Sequence, residues 1–530
     1  MEKPPVAASP NRERDTLSQR LGLIFGIAGF LVIWLFINLD PENPSVSRMA
    51  AIAFLMAVWW ITDALPLAAT ALVPIITFPI LGIMSGKEIA KEYTNSIIFL
   101  FIGGFLIALA MERWGLHRRI ALRIISLVGG TPARLVLGFM LATAFLSMWI
   151  SNTATAIMML AIALAVIRTT ENDFGENGSR TIAVSLLLGI AYSASIGGMA
   201  TLVGTPPNLA LSRIFEQSFP AAESAGVSLS FGRWMLLGLP LSVAMLTCAW
   251  LLLTKVFFRA PRSLQIPEEA ITKERENLGP MRREESIVLG VFAATALLWV
   301  FRTPLSIGNF TIPGWRDLLP FGDYLDDGTV AIAMSLLLFL IPAKHAAAEG
   351  KSAKRLLDAT VFRDLPWHIV LLFGGGFALA KGFQSSGLST WVGSGFAGLG
   401  ETPVPVLVLA IAGLMTFLTE LTSNTATTEM VLPLLASIAQ AIQVNPLYLM
   451  IPAALSASCA FMMPVATPPN AIVFGSGKIR IIEMVKVGIV LNLVGLIVLS
   501  GLFLIIGPLV FGLDAGMFPD WAAPADHISE

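Results

Sequence analysis

The stretch that decides the fold is Ser-Asn-Thr-Ala-Thr, which stands at residues 151–155 and again at residues 423–427. The same spacing of 272 positions relates Phe, Gly-Gly-Phe and Ala within residues 101–108 to residues 373–380, and Gly115-Leu116 to Gly387-Leu388. Further on, Gly-Thr-Pro-Pro-Asn at residues 204–208 matches Ala-Thr-Pro-Pro-Asn at residues 466–470, at a spacing of 262. The chain therefore contains an internal repeat. We assign the residues missing from the second half to a polar loop at residues 169–180.

Composition places the whole chain in a membrane. Of its 530 residues, 55% are hydrophobic and 13% are charged, and the mean hydropathy is +0.78. A soluble domain carries about 25% charged residues, so this chain has too little charge to cover a water-soluble surface. A net charge of −1 gives no reason to expect a nucleic-acid partner. The first twenty residues are polar, and we expect no cleavable signal peptide.

Eleven apolar stretches predict transmembrane helices, which need about 20 apolar residues each. They are residues 21–38, 48–62, 65–84, 96–111, 181–200, 231–256, 286–301, 328–341, 367–382, 446–463 and 484–511. Two more, residues 132–167 and 403–442, are too long for one crossing and slightly short for two. We interpret each as a re-entrant hairpin. The predicted fold class is an all-α integral membrane protein with eleven transmembrane helices, two hairpins, and helices broken at Thr-Pro-Pro-Asn.

The distribution of Lys and Arg sets the orientation, because cytoplasmic loops carry an excess of both. The loops after the fourth, sixth and eighth spans are basic, which predicts that they and the N-terminus are cytoplasmic. The acidic tail at residues 514–530 is predicted to lie outside. The basic residues are Arg113, Arg118, Arg119, Arg123, Arg134, Arg259, Arg262, Lys273, Arg275, Arg282, Arg283, Lys344, Lys351, Lys354, Arg355 and Arg363.

This topology inverts the two halves relative to each other. The span around Gly103 runs from outside to inside, whereas its counterpart around Gly375 runs from inside to outside. Inverted repeats place a substrate site near the midplane and support alternating access. The pattern favours a transporter over an anion channel, which remains an alternative. A membrane enzyme is a third alternative, but the sequence offers no nucleophile–base pair, and its four histidines are scattered.

The Ser-Asn-Thr tips carry the polar chemistry. Irregular backbone is tolerated at membrane depth only where it packs in protein or lines a cavity. At a hairpin tip one helix ends and another begins, so free carbonyls and free N–H groups meet. The N–H groups, with amides and hydroxyls, suit a carboxylate, and the oxygens suit a small hard cation such as Na⁺. Ser147 and Thr419 stand four residues before each tip and add a hydroxyl to each pocket.

The two Thr-Pro-Pro-Asn motifs are predicted to unwind their helices opposite the tips. Two consecutive prolines remove two N–H donors, and discontinuous helices of this kind line transporter sites. We assign Thr205, Pro206, Thr467 and Pro468 to this wall of the pocket and expect Asn208 and Asn470 to offer further polar atoms. One copy of either motif would more often be a kink or helix packing, but two matched copies favour a site.

Few ionisable residues lie in or near the predicted spans. Asp63, Glu112 and Lys381 stand close to span ends, where we expect them to reach the interface. Glu420 and Glu429 flank the second tip, and apolar residues stand at the equivalent first-half positions. We assign both a structural or tuning role. The lack of a matched carboxylate pair argues against a proton antiporter.

On these motifs the chain resembles the divalent anion/sodium symporter family of dicarboxylate and citrate carriers, from about residue 21 to residue 511. The resemblance implies a homodimer, an elevator-like motion and co-transported Na⁺, without an organic cofactor. It implies one sodium site at Ser147, Ser151, Asn152 and Gly204, and a second at Thr419, Ser423, Asn424 and Ala466. The substrate would meet Ser151, Asn152, Thr153, Ser423, Asn424, Thr425, Thr467 and Pro468. Both tips read Ser-Asn-Thr in full, as in the dicarboxylate carriers.

The resemblance also divides the chain. We expect a cytoplasmic segment (1–20), first scaffold helices (21–131), the first hairpin and transport helices (132–257), a cytoplasmic linker (258–285), second scaffold helices (286–402), the second hairpin and transport helices (403–513), and an extracytoplasmic tail (514–530). Amphipathic stretches at residues 113–128 and 385–398 are expected to lie along the interface as connecting arms. The expected location is the inner or plasma membrane of a bacterium. Sodium-coupled symport of succinate, malate and fumarate is the leading hypothesis, with sodium-independent exchange, or transport of citrate or sulfate, as alternatives.

Overall fold

The computed structural model describes residues 16–128, 130–259, 269–307, 310–344 and 355–523. Residues 1–15, Arg262, Lys351, Lys354 and residues 524–530, all included in the predictions above, lie outside this part of the chain. Within it, the regular structure is helical except for one antiparallel pair, β1 (Leu305–Ile307) and β2 (Phe310–Ile312).

The described residues of the first half form twelve α-helices, several of which begin at side-chain caps. Asn43 caps α2 ahead of Pro44, and Thr131 caps α8 ahead of Pro132, because proline at the first helical position has no N–H to satisfy. The helices are α1 (Leu17–Phe36), α2 (Pro44–Thr62), α3 (Leu67–Thr70), α4 (Val73–Ile80), α5 (Gly86–Glu92), α6 (Ser96–Arg113), α7 (Leu116–Val128), α8 (Pro132–Ser147), α9 (Asn152–Gly198), α10 (Pro206–Ser218), α11 (Ala221–Ser224) and α12 (Phe231–Leu251), which continues as a π-helix (Leu252–Phe257).

The second half repeats this order from α14 onward. Its helices, with the preceding linker helix, are α13 (Glu269–Asn277), α14 (Arg283–Val300), α15 (Asp327–Leu340), α16 (Val361–Asp364), α17 (Trp367–Ser386), α18 (Leu388–Gly395), α19 (Val404–Leu418), α20 (Asn424–Ala441), α21 (Leu447–Ser456), α22 (Pro468–Phe474) and α23 (Ile481–Phe511).

Seven helical stretches of the described chain are by themselves long and apolar enough to cross a membrane: Leu17–Phe36, Pro44–Thr62, Gly86–Arg113, Asn152–Gly175, Ser179–Gly198, Phe231–Phe257 and Ile481–Phe511. The chain is therefore a multi-pass helical membrane protein, and the count of eleven spans stays a prediction. Of these seven, Ser179–Gly198 is 94% buried inside the protein and Leu17–Phe36 only 11%. The former is thus a central helix enclosed by others, and the latter faces outward.

Three predicted elements differ in the structure. The third span is broken into α3 and α4. The tenth ends at Ser456, ten residues after it begins, and gives way to irregular backbone. The predicted polar loop at residues 169–180 is largely helical, because α9 continues through it and bends only at Gly175, where φ is 72°. Charged side chains in this region do not interrupt a helix, whereas a positive φ does.

The two halves pack against each other reciprocally. Gly103 of α6 lies on Ala331 of α15, where an added Cβ would come within 2.6 Å of the Ala331 carbonyl carbon. Its counterpart Gly375 of α17 lies on Ala71, where an added Cβ would come within 2.5 Å of the carbonyl oxygen. Each contact joins a residue of one half to the other half, as two-fold symmetry requires. These glycines recur because only glycine permits this close approach.

A second reciprocal contact concerns the short helices after the prolines. α10 of the first half packs against α20 of the second, and α22 of the second half packs against α9 of the first. Each half therefore contributes a helix that rests on the other half's hairpin helix.

Candidate binding site at the two hairpin tips

Both tips have the predicted form of a helix end followed at once by a helix start. α8 ends at Ser147 and α9 begins at Asn152 with Ser151 as its N-cap, whose hydroxyl accepts from the Ala154 N–H at 3.4 Å. α19 ends at Leu418 and α20 begins at Asn424, with Ser423 as its N-cap. The free N–H groups of α9 and α20 are thus presented at Ser-Asn-Thr, where they can attract an anion.

The first tip gathers oxygen atoms around Asn152. The Ser147 hydroxyl lies 2.5 Å from Asn152 Oδ1 and 2.7 Å from the Ala194 carbonyl oxygen. Asn152 Oδ1 also lies 3.2 Å from the carbonyl oxygens of Ala194 and Gly204. One hydroxyl proton cannot satisfy four converging oxygens. Either the amide turns over, so that its nitrogen donates to them, or a cation binds among them. This arrangement fits a Na⁺ site built from neutral oxygens.

The second tip repeats the arrangement. The Thr419 hydroxyl lies 2.5 Å from Asn424 Oδ1 and 2.8 Å from the Ala457 carbonyl oxygen. Thr419 and Asn424 are the positions that correspond to Ser147 and Asn152 at a spacing of 272. Sequence reasoning missed the carbonyl groups of Ala194 and Ala457, since a backbone oxygen leaves no signal in the residue type.

The remaining predicted residues surround these clusters. Thr205 and Thr467 are buried N-caps of α10 and α22, and the Thr467 hydroxyl accepts from the Asn470 N–H at 3.4 Å. Thr425 and Ala466 are buried, Thr153 and Pro206 are half-buried, and Pro468 is exposed.

The asparagines of the proline motifs bind the backbone through their amide nitrogens, whereas Asn208 Oδ1 and Asn470 Oδ1 are buried without a hydrogen-bond partner among the described residues; their part in the pocket therefore stays a prediction. Asn208 Nδ2 donates to the carbonyls of Thr201 at 2.8 Å and Gly198 at 3.3 Å. Asn470 Nδ2 donates to the equivalent carbonyls of Met463 and Ala460, both at 3.0 Å. Unwinding a helix exposes carbonyls that need donors. Each asparagine therefore holds together the broken stretch that precedes its own helix.

Glu420 holds the second broken stretch from the tip. Its Oε1 accepts from the N–H groups of Phe461 at 2.7 Å and Met462 at 2.8 Å, and from Asn492 Nδ2 at 2.7 Å. Its Oε2 accepts from the Met463 N–H at 3.0 Å. The side chain is 3% exposed, and a buried carboxylate is tolerated when donors surround it in this way. Glu420 therefore acts structurally.

In the first half, a hydroxyl group links the tip to the broken stretch. Thr201, the counterpart of Met463, donates to the Met148 carbonyl, and its oxygen accepts from the Gly204 N–H at 3.0 Å. Met148 is the counterpart of Glu420. Sequence reasoning did not identify Thr201 because no repeat motif contains it.

Comparison with known proteins agrees with this architecture. The profile of the family described as "sodium:sulfate symporter transmembrane region" matches residues 17–513. A sodium-dependent dicarboxylate transporter, SdcS, from Staphylococcus saprophyticus is 42% identical over 503 residues, covering 94% of this chain and 93% of the relative. SdcS from Staphylococcus aureus strain USA300 is 41% identical over 511 residues, covering 96% and 94%.

Two solved structures share the fold at 13% identity. Neisseria gonorrhoeae MtrF, described as illustrating a class of antimetabolite efflux pumps, superposes with a TM-score of 0.53 and covers 91% of this chain and 97% of its own. The Alcanivorax borkumensis YdaH transporter gives 0.52, covering 87% and 99%. The family match and the curated relatives extend over nearly the whole chain, which confirms the resemblance seen in the sequence. The chain is therefore a transporter rather than an enzyme, and it belongs to the sodium:sulfate symporter transmembrane region family.

Proposed function

We propose that this chain is a Na⁺-coupled symporter of C4-dicarboxylates such as succinate, malate and fumarate. The observation that carries the proposal is the pair of equivalent oxygen clusters, Ser147 with Asn152 and Thr419 with Asn424, each beside the N-terminus of a helix. The names of the Staphylococcus relatives, which describe sodium-dependent dicarboxylate transport, support the same substrate and ion.

The oxygen clusters are suited to Na⁺ by their chemistry. Their members are hydroxyl, amide and carbonyl oxygens, the ligands that hard cations prefer. We assign one sodium site to Ser147, Ser151, Asn152 and Gly204, and the other to Thr419, Ser423, Asn424 and Ala466. Because neither Ser-Asn-Thr tip contains Lys or Arg, bound Na⁺ would supply the positive charge that a dicarboxylate needs.

The substrate would lie between the two tips. In this arrangement the N-termini of α9 and α20 would supply N–H groups and positive dipole ends to the substrate. Asn152, Thr153, Asn424 and Thr425 stand in the first turns of these helices, and Thr205, Pro206, Thr467 and Pro468 begin the helices after the breaks. One carboxylate of the substrate at each tip accounts for a preference for dicarboxylates.

Two equivalent glycine turns support the elevator-like movement that we propose. Gly115, between α6 and α7, has a φ of 72°, and Gly387, between α17 and α18, has a φ of 79°. The two residues correspond at a spacing of 272, and a positive φ favours glycine at both. We infer that α7 and α18 are arms that connect the hairpins to scaffold helices, and that the protein is a homodimer with a cytoplasmic N-terminus.

Uptake of labelled succinate into proteoliposomes tests the proposal. With Na⁺ outside, succinate should accumulate against its gradient, and replacing Na⁺ with K⁺ should abolish accumulation. Uptake that ignores Na⁺ but requires dicarboxylate inside would establish an exchanger instead, and uptake that never exceeds equilibrium would establish a channel. Competition by citrate and sulfate tests the other substrates. Ser151→Ala and Asn424→Ala should each impair uptake, whereas Ser224→Ala, at an exposed position, should not.

A further inference from the structure

Glu429 is the most isolated carboxylate that the structure describes. It lies on α20, five residues after Asn424, and its side chain is fully buried at 0% exposure. Among the described residues, neither of its oxygens has a hydrogen-bond partner. Its counterpart at a spacing of 272 is Ile157, so the first half has no equivalent carboxyl group.

The surroundings of Glu429 are a helix backbone and an apolar cluster. The carboxyl group lies against Gly376 of α17, where an added Cβ would come within 2.4 Å of Glu429 Oε2. Its helix neighbours Ala426 and Met430 belong to an apolar cluster that joins α2, α17 and α20. The Glu429 carboxyl therefore faces α17, a helix of the proposed scaffold, from the hairpin that carries the second tip.

No described basic group neutralises Glu429. The titratable side chain that interacts with it electrostatically is Tyr93, whose hydroxyl donates to the Ala71 carbonyl instead. The charged and titratable groups on the helices packed against α20 are engaged elsewhere or exposed. Arg213 of α10 binds Glu92 at 3.2 Å and lies 3.9 Å from Glu216, and Lys381 of α17 interacts with Glu88. His368, in the first turn of α17, is exposed, and the Tyr448 hydroxyl of α21 donates to the Leu513 carbonyl at 3.4 Å.

Among the residues that the structure describes, an ionised carboxylate in this position would have neither a hydrogen-bond donor nor a basic partner. Burying an unpaired charge costs far more free energy than burying a neutral carboxylic acid. We propose that Glu429 is a proton-binding site at the interface between α20 and α17. The carboxylate takes one proton from water when the hairpin docks on α17 and returns it to water when movement exposes the side chain. The link to movement rests on the proposed elevator function.

Infrared spectroscopy tests proton binding without any transport measurement. At a pH of about 7, an exposed glutamate is ionised. The difference spectrum between reconstituted wild-type protein and Glu429→Gln should therefore contain the C=O band of one protonated carboxylic acid. Glu401→Gln, at an exposed position just before α19, should remove a carboxylate band instead. A carboxylate band in the Glu429→Gln difference spectrum, in place of the acid band, would overturn the proposal.

Transport measurements test the consequence for the cycle. If docking requires a proton, wild-type uptake should fall as the pH rises, by up to about tenfold per pH unit once Glu429 resists protonation. Glu429→Gln, which keeps the shape of the protonated acid, should show a flat profile over that range, and Glu401→Gln should follow the wild type. A Glu429→Gln profile that falls like that of the wild type would overturn the link to movement.

The melting temperatures of Glu429 variants show whether a loss of transport reflects misfolding. Glu429→Met replaces the acid with an apolar side chain of similar volume, and it should unfold at a temperature equal to or above that of the wild type. Unfolding of both the Met and Gln variants well below the wild type would contradict a neutral, unpartnered acid. A wild-type protein with the acid band but no Na⁺-driven uptake would leave the proton site standing and remove only the proposed function.

Discussion

The two halves hold the same break in the chain by opposite means. In the first half, the hydroxyl of Thr201, on the broken stretch, donates to the Met148 carbonyl at the tip. In the second half, the carboxylate of Glu420, at the tip, accepts from three N–H groups of the broken stretch. Both positions of the contact differ between the halves: Met463 stands where the first half has Thr201, and Glu420 stands where it has Met148. The repeat thus preserves the link between tip and break, but not its chemistry.

The helices α7 and α18, which we propose as arms, show the opposite contrast, with ion pairs in the first half and neutral contacts in the second. In the first half, Arg118 of α7 pairs with Glu274, and Arg119 pairs with Glu285 and binds the carbonyls of Leu278 and Gly279. In the second half, the α17–α18 turn is held by neutral groups, with Asn43 Nδ2 donating to the Ser386 carbonyl at 2.9 Å. Charge therefore secures the tip in one half and the arm in the other. Three variants at the tip and the break, and one at the ion pair of Arg113 just before the first arm, test how each half uses charge, from the largest expected effect to the smallest.

Glu420→Met should have the largest effect. It removes the acceptor of three backbone N–H groups and the Asn492 amide, which then lie buried without partners. We expect a loss of about 3 kcal/mol in the free energy of unfolding, together with the loss of Na⁺-dependent uptake. Thermal unfolding of the purified protein in detergent measures the first effect. A wild-type melting temperature would show that Glu420 is not required to hold the break.

Adding Met463→Thr to Glu420→Met should recover part of that loss. The double variant gives the second half the residue pair of the first, so the new hydroxyl can donate to the backbone carbonyl of residue 420. We expect a gain of about 1 kcal/mol over the single variant, seen as a higher melting temperature. If the double variant is no more stable, the two halves do not share one geometry at the break.

Thr201→Val should cost less than Glu420→Met, because it removes only neutral hydrogen bonds. The Met148 carbonyl and the Gly204 N–H would each lose a partner, at a cost of about 1–2 kcal/mol in the free energy of unfolding. Thr169→Val, whose hydroxyl bonds only to its own helix at 3.1 Å, is the matched control and should change the melting temperature little. A larger loss than that of Glu420→Met would reverse the comparison.

The smallest effect should come from the ion pair at the end of α6. Arg113 binds Asp358 at 2.6 Å, and this contact, with the Thr360 hydroxyl, holds the pKa of Asp358 well below its usual range. The resulting stability is present above the ordinary pKa of Asp and is lost as the pH falls through the lowered one. Both side chains are about one-third exposed, so the contribution should be less than about 1 kcal/mol. Asp358→Asn should therefore flatten the acid limb of melting temperature against pH, and an unchanged limb would contradict this assignment.

Sequence reasoning located both tips and both breaks because their signals are local or repeated. Ser-Asn-Thr and Thr-Pro-Pro-Asn each combine a helix start with residues that cannot continue the preceding helix, and their spacing relates the two halves. The interior of α9 could not be predicted for a different reason: residues 169–173 are polar but helical, and polarity alone does not end a helix.

The orientation of side chains near the site could not be predicted either. The amide nitrogens of Asn208 and Asn470 donate to carbonyls of the broken stretches, a role that the motif itself does not reveal. The role of Thr201 depends on a contact with a residue 53 positions away in the sequence, and that of Glu420 on one 41 positions away. No spacing rule predicts such contacts. The third predicted span is broken beside Ala71, where Gly375 packs closely, and this contact too joins distant parts of the chain.

The cross-packing of α10 on α20 and of α22 on α9 has a thermodynamic consequence. The helix that begins beside one oxygen cluster rests on the hairpin that carries the other, so ordering either tip restrains both. Binding of a first Na⁺ should therefore reduce the conformational entropy that the second binding event must still lose. Any such coupling free energy is reciprocal, so under the proposed function the two sodium ions and the dicarboxylate would each raise the affinity of the protein for the others.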